Sequence, residues 1–446
     1  MRLRRLISGD QGRAVVARNT GWLFAERVVT LGSSVIVSIV LARYLGTEQF
    51  GQLNYALAIV AIVSQLARFG MSGVLVRELV LDPTQRGAVM GTALAIRLAG
   101  SGVALACVGL SGVVLLVDEP LVRLLVAILA AGLVFDSLAV IESHFQGLLQ
   151  NRTTAAIRGL VSIISMVVAV SLVLADAPIV AFAMVTAGES ALLAAAFLLA
   201  YRRSHSIRDW RVRIGMARTL IGQSWPLILS GLTASVYLKV DQVMLGAMTD
   251  KAAVGIYAAA VRLSEGWYFI PIAISTAAFP LLLRAKQRSE AAYAERMQSL
   301  YDALFWASLC IIIPVSLLAD VIVVTLYGDA YAAAGPLLAL HVWAGVFIFL
   351  RAALSKWLIA EKLTLFSLAT HGSGAVVNVA LNLWLIPMYG PTGAAIATLV
   401  SYAVASYLTL FVHPRTRGAA LQMTLALLSP IRVARRVVGR RTSREI

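Results

Sequence analysis

Long apolar runs, broken only by short charged or small-residue turns, occupy most of this chain. A stretch of about 20 such residues is what an α-helix needs to cross a hydrocarbon core about 30 Å thick. Twelve runs are legible, near residues 20–43, 50–69, 88–117, 121–147, 154–175, 178–200, 219–248, 252–283, 298–326, 333–358, 364–387 and 391–412. Lipid offers no partner to a backbone N–H or C=O, so each run must satisfy its own bonds as a helix. The expected fold class is therefore all-α: a polytopic integral membrane protein of about twelve transmembrane helices. Composition agrees, with 60% apolar and only 13% charged residues, where soluble domains carry about 25% charged. Such hydrophobicity also excludes intrinsic disorder. The first run is long, holds Glu26 and Arg27, and lacks a small-residue cleavage site, so it reads as a span rather than a signal peptide.

The chain is strongly basic, with a net charge of +16. Nucleic-acid binding is one source of such an excess, but the position of the charges gives a different answer. Of the 38 Lys and Arg, only Arg43, Arg123 and Lys251 fall in connections on one side, and Arg27, Arg97, Lys239 and Arg262 fall within spans. All the others lie in the termini and the alternate connections. The positive-inside rule then places both termini in the cytoplasm, and the expected setting is the plasma (inner) membrane, with no nucleic-acid partner. The expected organisation is a basic cytoplasmic segment 1–18, a first bundle 19–201, a basic linker 202–218, a second bundle 219–412 and a basic tail 413–446. The two ends alternate Arg with Leu, Ile and Val, a pattern suited to lying on an anionic inner leaflet.

The connections on the Arg-poor side are short, little more than VDEP and DAP between spans 3–4 and 5–6. A polymerase or lipid-linked glycosyltransferase is expected to carry a sizeable external loop. There is no GxxxxGK[ST] phosphate loop and no HExxH. Cys107 and Cys310 sit inside apolar runs, which gives no basis for a disulfide framework or a thiolate zinc site. The expectation is a transporter rather than an enzyme, with no cofactor.

The two halves echo each other. YLGTEQFGQLNYA (44–56) joins spans 1 and 2, and LGAMTDKAAVGIYA (245–258) joins spans 7 and 8. Each passes from a Gly-containing helix end through a short acidic turn with Thr to Gly and then Tyr-Ala. A six-plus-six duplication would put the echo at these junctions, and such repeats set a substrate path at the interface of the halves.

Ionisable groups at membrane depth are costly and mark function by default. Counting about 1.5 Å per residue, Arg97 and Arg262 fall near the midplane. Glu189 is about eleven residues into span 6, Glu26 and Arg27 lie toward the inner side of span 1, Asp136 in the inner half of span 4, and Lys239 and Asp241 near the outer end of span 7. Glu265 shares a helix face with Arg262. A polar cavity whose Arg and Lys receive an anionic head group is one reading, since the planar guanidinium suits phosphate. The other is structural: Arg262–Glu265 as a buried ion pair, Lys239, Arg351 and Lys356 snorkelling to the interface, and His341, His371, Asn378 and Asn382 as packing and interhelical polar contacts.

The segment VYLKVDQVMLGAMTDKAAVGIYAAAVRLSE (236–265) resembles the polysaccharide-biosynthesis flippases, the Wzx-type lipid-linked oligosaccharide translocases of the multidrug/oligosaccharidyl-lipid/polysaccharide (MOP) superfamily. Asp241-Gln242 followed by MLG, and Val254, Gly255, Tyr257 and Ala260, carry the likeness. LARYLGTEQFGQLNYA (41–56) and GPTGAAIAT (390–398) add to it. The resemblance implies two six-helix bundles related by a pseudo-twofold axis, with spans 1, 2, 7 and 8 lining a central cationic cavity. It implies alternating access that carries an undecaprenyl-diphosphate-linked oligosaccharide to the outer leaflet for O-antigen, capsule or exopolysaccharide. Membrane lipids and other polysaccharide-assembly membrane proteins are the further partners it implies. By that analogy Arg27 and Arg262 face the cavity, and Arg97 and Lys239 are further candidates for the diphosphate. Glu26, Asp136, Glu189, Asp241 and Glu265 are candidates for proton or sodium coupling. Drug exporters of the same superfamily share the architecture, so a cation-coupled multidrug exporter is the alternative, and a membrane-embedded glycan polymerase the third. Lipid II flippases are relatives that typically have fourteen spans, and twelve here argues against that member.

Overall fold

The computed structural model describes residues 10–114 and 118–432. The basic ends at 1–9 and 433–446 therefore lie outside the described residues. Within them, helices follow one another along the chain and no strand occurs. The first, α1, runs Asp10–Arg68, 59 residues, and is non-helical only at Gly46 (φ 69°, ψ 177°). At about 1.5 Å per residue it is nearly 90 Å long, enough for two crossings. The connection between spans 1 and 2 is thus a one-residue kink, at a φ that glycine adopts without steric cost.

After a left-handed pair, Phe69 (φ 54°) and Gly70 (φ 58°), comes a short helix α2, Ser72–Leu81. The sequence reading did not anticipate it, because its ten residues fall below the length that periodicity resolves. Then follow α3 (Arg86–Val114), α4 (Pro120–Asp136), α5 (Val140–Gly147), α6 (Asn151–Leu174), α7 (Ile179–Arg202) and α8 (Ile214–Met248). The next crossing is broken in two, α9 (Lys251–Glu265) and α10 (Phe269–Arg288). The remainder is α11 (Glu290–Leu317), α12 (Ala319–Tyr327), α13 (Ala334–His341), α14 (Ala344–Ala360), α15 (Thr364–Tyr389), α16 (Pro391–Ser406) and α17 (Arg417–Leu427).

Ten segments among the described residues are long and apolar enough to cross a membrane. The first, Phe24–Leu81, holds both crossings of α1, and α8, at 35 residues, is long enough although Pro226, Lys239 and Asp241 dilute its apolar character. That accounts for the twelve expected spans. The ninth, expected over 298–326, instead ends at Leu317, and α12 follows as a separate short helix. Large apolar side chains face outward, among them Leu174 (82% exposed), Leu317 (79%) and Leu110 (65%). Lipid is the solvent such faces require. The protein is a multi-pass membrane protein.

The chain forms two compact units, Met1–Ala258 and Ala259–Ile446. This division does not coincide with the one expected at 202–218, because α8 and the start of α9 pack with the first unit. The first unit is centred on Met71, Leu75, Met90, Val140, Phe145 and Tyr201, the second on Tyr301, Leu304, Leu350, Leu354 and Met423. Segment 202–218 is no free linker either. Arg211 N donates to Gly87 O (3.1 Å), and Arg213 N to Thr92 Oγ1 (3.0 Å). A Cβ on Gly91 would stand 2.6 Å from Arg211 N. Two bare glycines one turn apart on α3 let the connection lie against the helix, which the linker expectation did not allow for.

Trp210 in that connection donates its indole N–H to Tyr201 (3.0 Å), and His205 stacks on the same ring (centroids 5.1 Å apart). Burial there, with Arg86 nearby, pushes the His205 imidazole below its usual range. At the other end of the chain, α17 lays Ala419, Ala420, Met423 and Ala426 inward. Gln298 on α11 donates to Gln422 O (3.1 Å). The start of the expected tail is therefore part of the second unit.

Candidate functional site

The junction at Gly46 positions one polar centre of the first unit. A Cβ on Gly51 would fall on Lys251 O and 2.9 Å from Gly255 N, while one on Gly255 would fall on Thr47 O and 3.1 Å from Gly51 N. The two echoing segments thus meet backbone to backbone through their glycines, and the contact is reciprocal. Lys251 closes it. Its Nζ donates to Glu119 Oε1 (2.7 Å) and Gly246 O (2.7 Å) and lies 4.3 Å from the Tyr55 ring centroid. A turn and a half deeper in the pair, Tyr257 OH donates to Asp241 Oδ2 (2.9 Å), and Asp241 and Gln242 are buried. Lys239, on the same helix, is half-buried.

A second polar centre lies at the other end of this unit's helices. Arg158 on α6 grips Glu142 on α5 with both arms, Nε to Oε1 at 2.9 Å and Nη2 to Oε2 at 2.5 Å. Gln146 Nε2 donates to the same carboxylate (3.2 Å). Glu26, Asp136 and Glu189 are all within electrostatic reach of Arg158. Thr30 Oγ1 donates to Glu26 (3.3 Å), and Ser165 hydrogen-bonds Glu189. Arg68, the last residue of α1, is 3.7 Å from Asp136. Arg97 completes the layer. It is 2% exposed, its Nη2 donates to Ser72 Oγ (3.1 Å), and its Nε has no partner.

Four predicted residues, Glu26, Arg97, Asp136 and Glu189, are therefore brought into one charged layer. Arg68, Ser72, Glu142 and Arg158 belong to it and were missed. Sequence reasoning assigned Arg68 and Arg158 to connections. Glu142 and Arg158 are 16 residues apart in the chain, a spacing that puts nothing on one helix face, so only their charge at a span end could have flagged them. Arg97, near the middle of the candidate span Pro83–Gly112, bonds Ser72 at the start of α2. Lys239 and Asp241 belong to the opposite half of α8 and do not join this layer. Arg27 is exposed on α1.

In the second unit, Arg262 is exposed in the last turn of α9 and Glu265 ends that helix, at the break before α10. The neighbouring Ser264 hydroxyl is 2.9 Å from His341 Nδ1, both buried, as expected of a packing histidine. Asn378 Nδ2 donates to Ser401 Oγ (3.2 Å), and Asn382 Nδ2 to Asn378 Oδ1 (3.0 Å), tying α15 to α16. Arg351 corrects the snorkelling expectation. It is buried and donates to Thr370 Oγ1 (2.9 Å), Ala405 O (2.9 Å), Ser367 Oγ (3.3 Å) and His371 Nε2 (2.9 Å). Neighbouring helices offered acceptors inside, so the side chain had no need to reach for water. Among the described residues, no group of His, Cys, Asp and Glu could hold a metal ion.

A family model described as "Polysaccharide biosynthesis protein" matches residues 16–286. The chain belongs to that family. A MatE model also matches residues 226–384. This family member is 29% identical over 194 residues to the "Probable flippase AglR" of Haloferax volcanii, a match spanning 42% of this chain and 40% of that protein's length. Among solved structures it shares its fold with the lipid II flippase MurJ in an inward closed conformation. The TM-score is 0.69 at 14% identity, covering 92% of this chain and 91% of that one. An inward-facing multidrug-resistance MATE transporter of the MOP superfamily gives a TM-score of 0.65 at 15% identity, over 89% and 96%. The resemblance drawn from residues 236–265 is thus borne out for family and fold.

Proposed function

We propose that the protein is a flippase carrying an undecaprenyl-diphosphate-linked oligosaccharide from the inner to the outer leaflet of the plasma membrane, for surface polysaccharide. Both termini are then cytoplasmic, and transport follows alternating access through a cationic cavity. Arg97 carries this reading. It is a guanidinium buried in a multi-pass membrane bundle, with no carboxylate within ion-pair distance among the described residues, in a member of the polysaccharide biosynthesis protein family. Its planar guanidinium can offer a diphosphate two parallel hydrogen bonds. Arg27, Lys239 and Arg262 are the further proposed contacts to diphosphate or glycan. Return of the empty carrier is proposed to draw on a proton or Na⁺ gradient through Glu26, Asp136, Glu189, Asp241 or Glu265. Transport indifferent to both gradients would remove that element.

Deletion of the gene, followed by extraction of lipid-linked glycans, tests the reading. Completed diphosphate-linked oligosaccharide confined to the inner leaflet, with surface polysaccharide lost, is the expected result. Complementation by Arg262→Ala should then restore little transport at normal protein level, and Arg262→Lys an intermediate amount, since Lys cannot offer a bidentate fork. The MatE match over 226–384 favours one second reading, a cation-coupled drug exporter. Unchanged glycan lipids with new sensitivity to cationic drugs would establish it.

A further inference from the structure

We propose that Lys251 is the latch of a gate that closes the cargo path at the Arg-poor end of the spans, with Glu119 as the partner it releases when that end opens. Four elements of the first unit meet at its ammonium. Nζ donates to Glu119 Oε1 (2.7 Å), just before α4, and to Gly246 O (2.7 Å) in the last turn of α8. It also stands 4.3 Å from the centroid of the Tyr55 ring, in the second crossing of α1. Lys251 itself is the first residue of α9, where the helix dipole disfavours a cation. Its side chain is only 12% exposed there, so the tertiary partners hold it, and its own helix does not. Gly51 and Gly255 let the two junctions approach, but they bring no side chain to hold them together. The lysine supplies that hold.

The place of this clasp makes it a gate. It joins the two echoing junctions, 1–2 and 7–8, to connection 3–4, and all three lie on the Arg-poor side. Repeats of this kind put the substrate path between the halves, so a tie between the equivalent junctions shuts that path at one end. The first crossing of α1 carries the same polarity. Leu41 and Ala42, near the Gly46 kink, are buried, while Phe24, Arg27 and Val28, nearer its start, are exposed. The clasp is also built to part. Glu119 is 35% exposed, so water takes its hydrogen bonds when the ammonium leaves, and an ion pair at such a rim holds by a small margin. A buried apolar contact has no such replacement. The gate rests on the proposed function for what passes and for the leaflet it faces.

Purified full-length protein, with Cys107 and Cys310 replaced by serine, would carry spin labels at Glu48→Cys and Ala247→Cys, exposed positions on the two junctions. Pulsed electron paramagnetic resonance in lipid nanodiscs then reads the distance between them. A dominant short distance is expected for this parent. Lys251→Gln and Glu119→Gln should each raise the ratio of long to short distances about fivefold, the bias that an ion pair of this exposure can supply. The two changes together should shift it no further than either alone, because both remove one bond. Glu119→Gln, at a partly exposed position, carries the test if Lys251→Gln does not fold. Short distances kept in both variants, whatever their unfolding temperature, would overturn the gate and leave Lys251 a structural tie. The readout needs no transport, so a gate that opens in these variants of a protein that moves no glycan would keep the latch and lose the proposed function.

Discussion

Replacement of Gly51 by leucine is expected to destabilise the first unit by about 3 kcal/mol, the upper end of what overpacking costs. The usual relief, a flexible side chain swinging away, is missing here. What a Cβ at Gly51 meets is Lys251 O and Gly255 N, both backbone. The two segments must separate, and separation also strains the Lys251 bonds to Glu119 and Gly246. Even Gly51→Ala should cost part of this, because the Cβ itself collides. Gly255→Leu should behave alike, and the double variant should lose less than the sum, since both open one contact. Gly102→Ala is the control, for nothing lies within 4 Å of its Cβ. Thermal unfolding of the purified protein measures the effect. A Gly51→Leu variant as stable as the control would mean that the close approach of the two junctions does not hold them together.

Arg158→Ala is expected to cost about 1–2 kcal/mol, less than stranding one partner of a fully buried ion pair, because the Arg158 side chain is 38% exposed. The residue serves more than Glu142, since Glu26, Asp136 and Glu189 also lie within its field. Without it, four carboxylates face only Arg68 and Arg97, and at least one must take up a proton or draw in water. Removing the stranded charge as well should recover much of the loss, so Arg158→Ala with Glu142→Gln should be more stable than Arg158→Ala alone. Unfolding midpoints across the four corners of this cycle report the coupling. Additive single effects would show that the pair contributes no specific interaction.

Local pattern was enough for one class of property. Runs of about 20 apolar residues can satisfy their backbone only as helices in lipid, so span number, all-α class and the asymmetry of Arg were legible in the linear order. The family resemblance was legible too, because residues 236–265 carry it in a contiguous segment. Gly51 and Gly255 could be aligned as echoes. Their meeting could not be seen, since it brings together residues about 200 positions apart.

The charged layer was half legible. Burial inside a span marked Glu26, Arg97, Asp136 and Glu189, because a single ionisable residue in an apolar run stands out. Glu142, Arg158 and Arg68 lie at span ends, where charges are ordinary, and their pairing depends on how α1, α4, α5 and α6 pack. Arg351 shows the same limit in the second unit: the chain placed it near a span end, and only Thr370, Ser367, His371 and the Ala405 carbonyl decided that it turns inward. The sequence by itself determined which segments enter the membrane and which family they belong to, because those follow from transfer free energy and local pattern. Tertiary structure alone decided which charges neutralise one another and which guanidinium is left with donors to spare, because a Coulomb interaction falls off with distance in space and takes no account of separation along the chain.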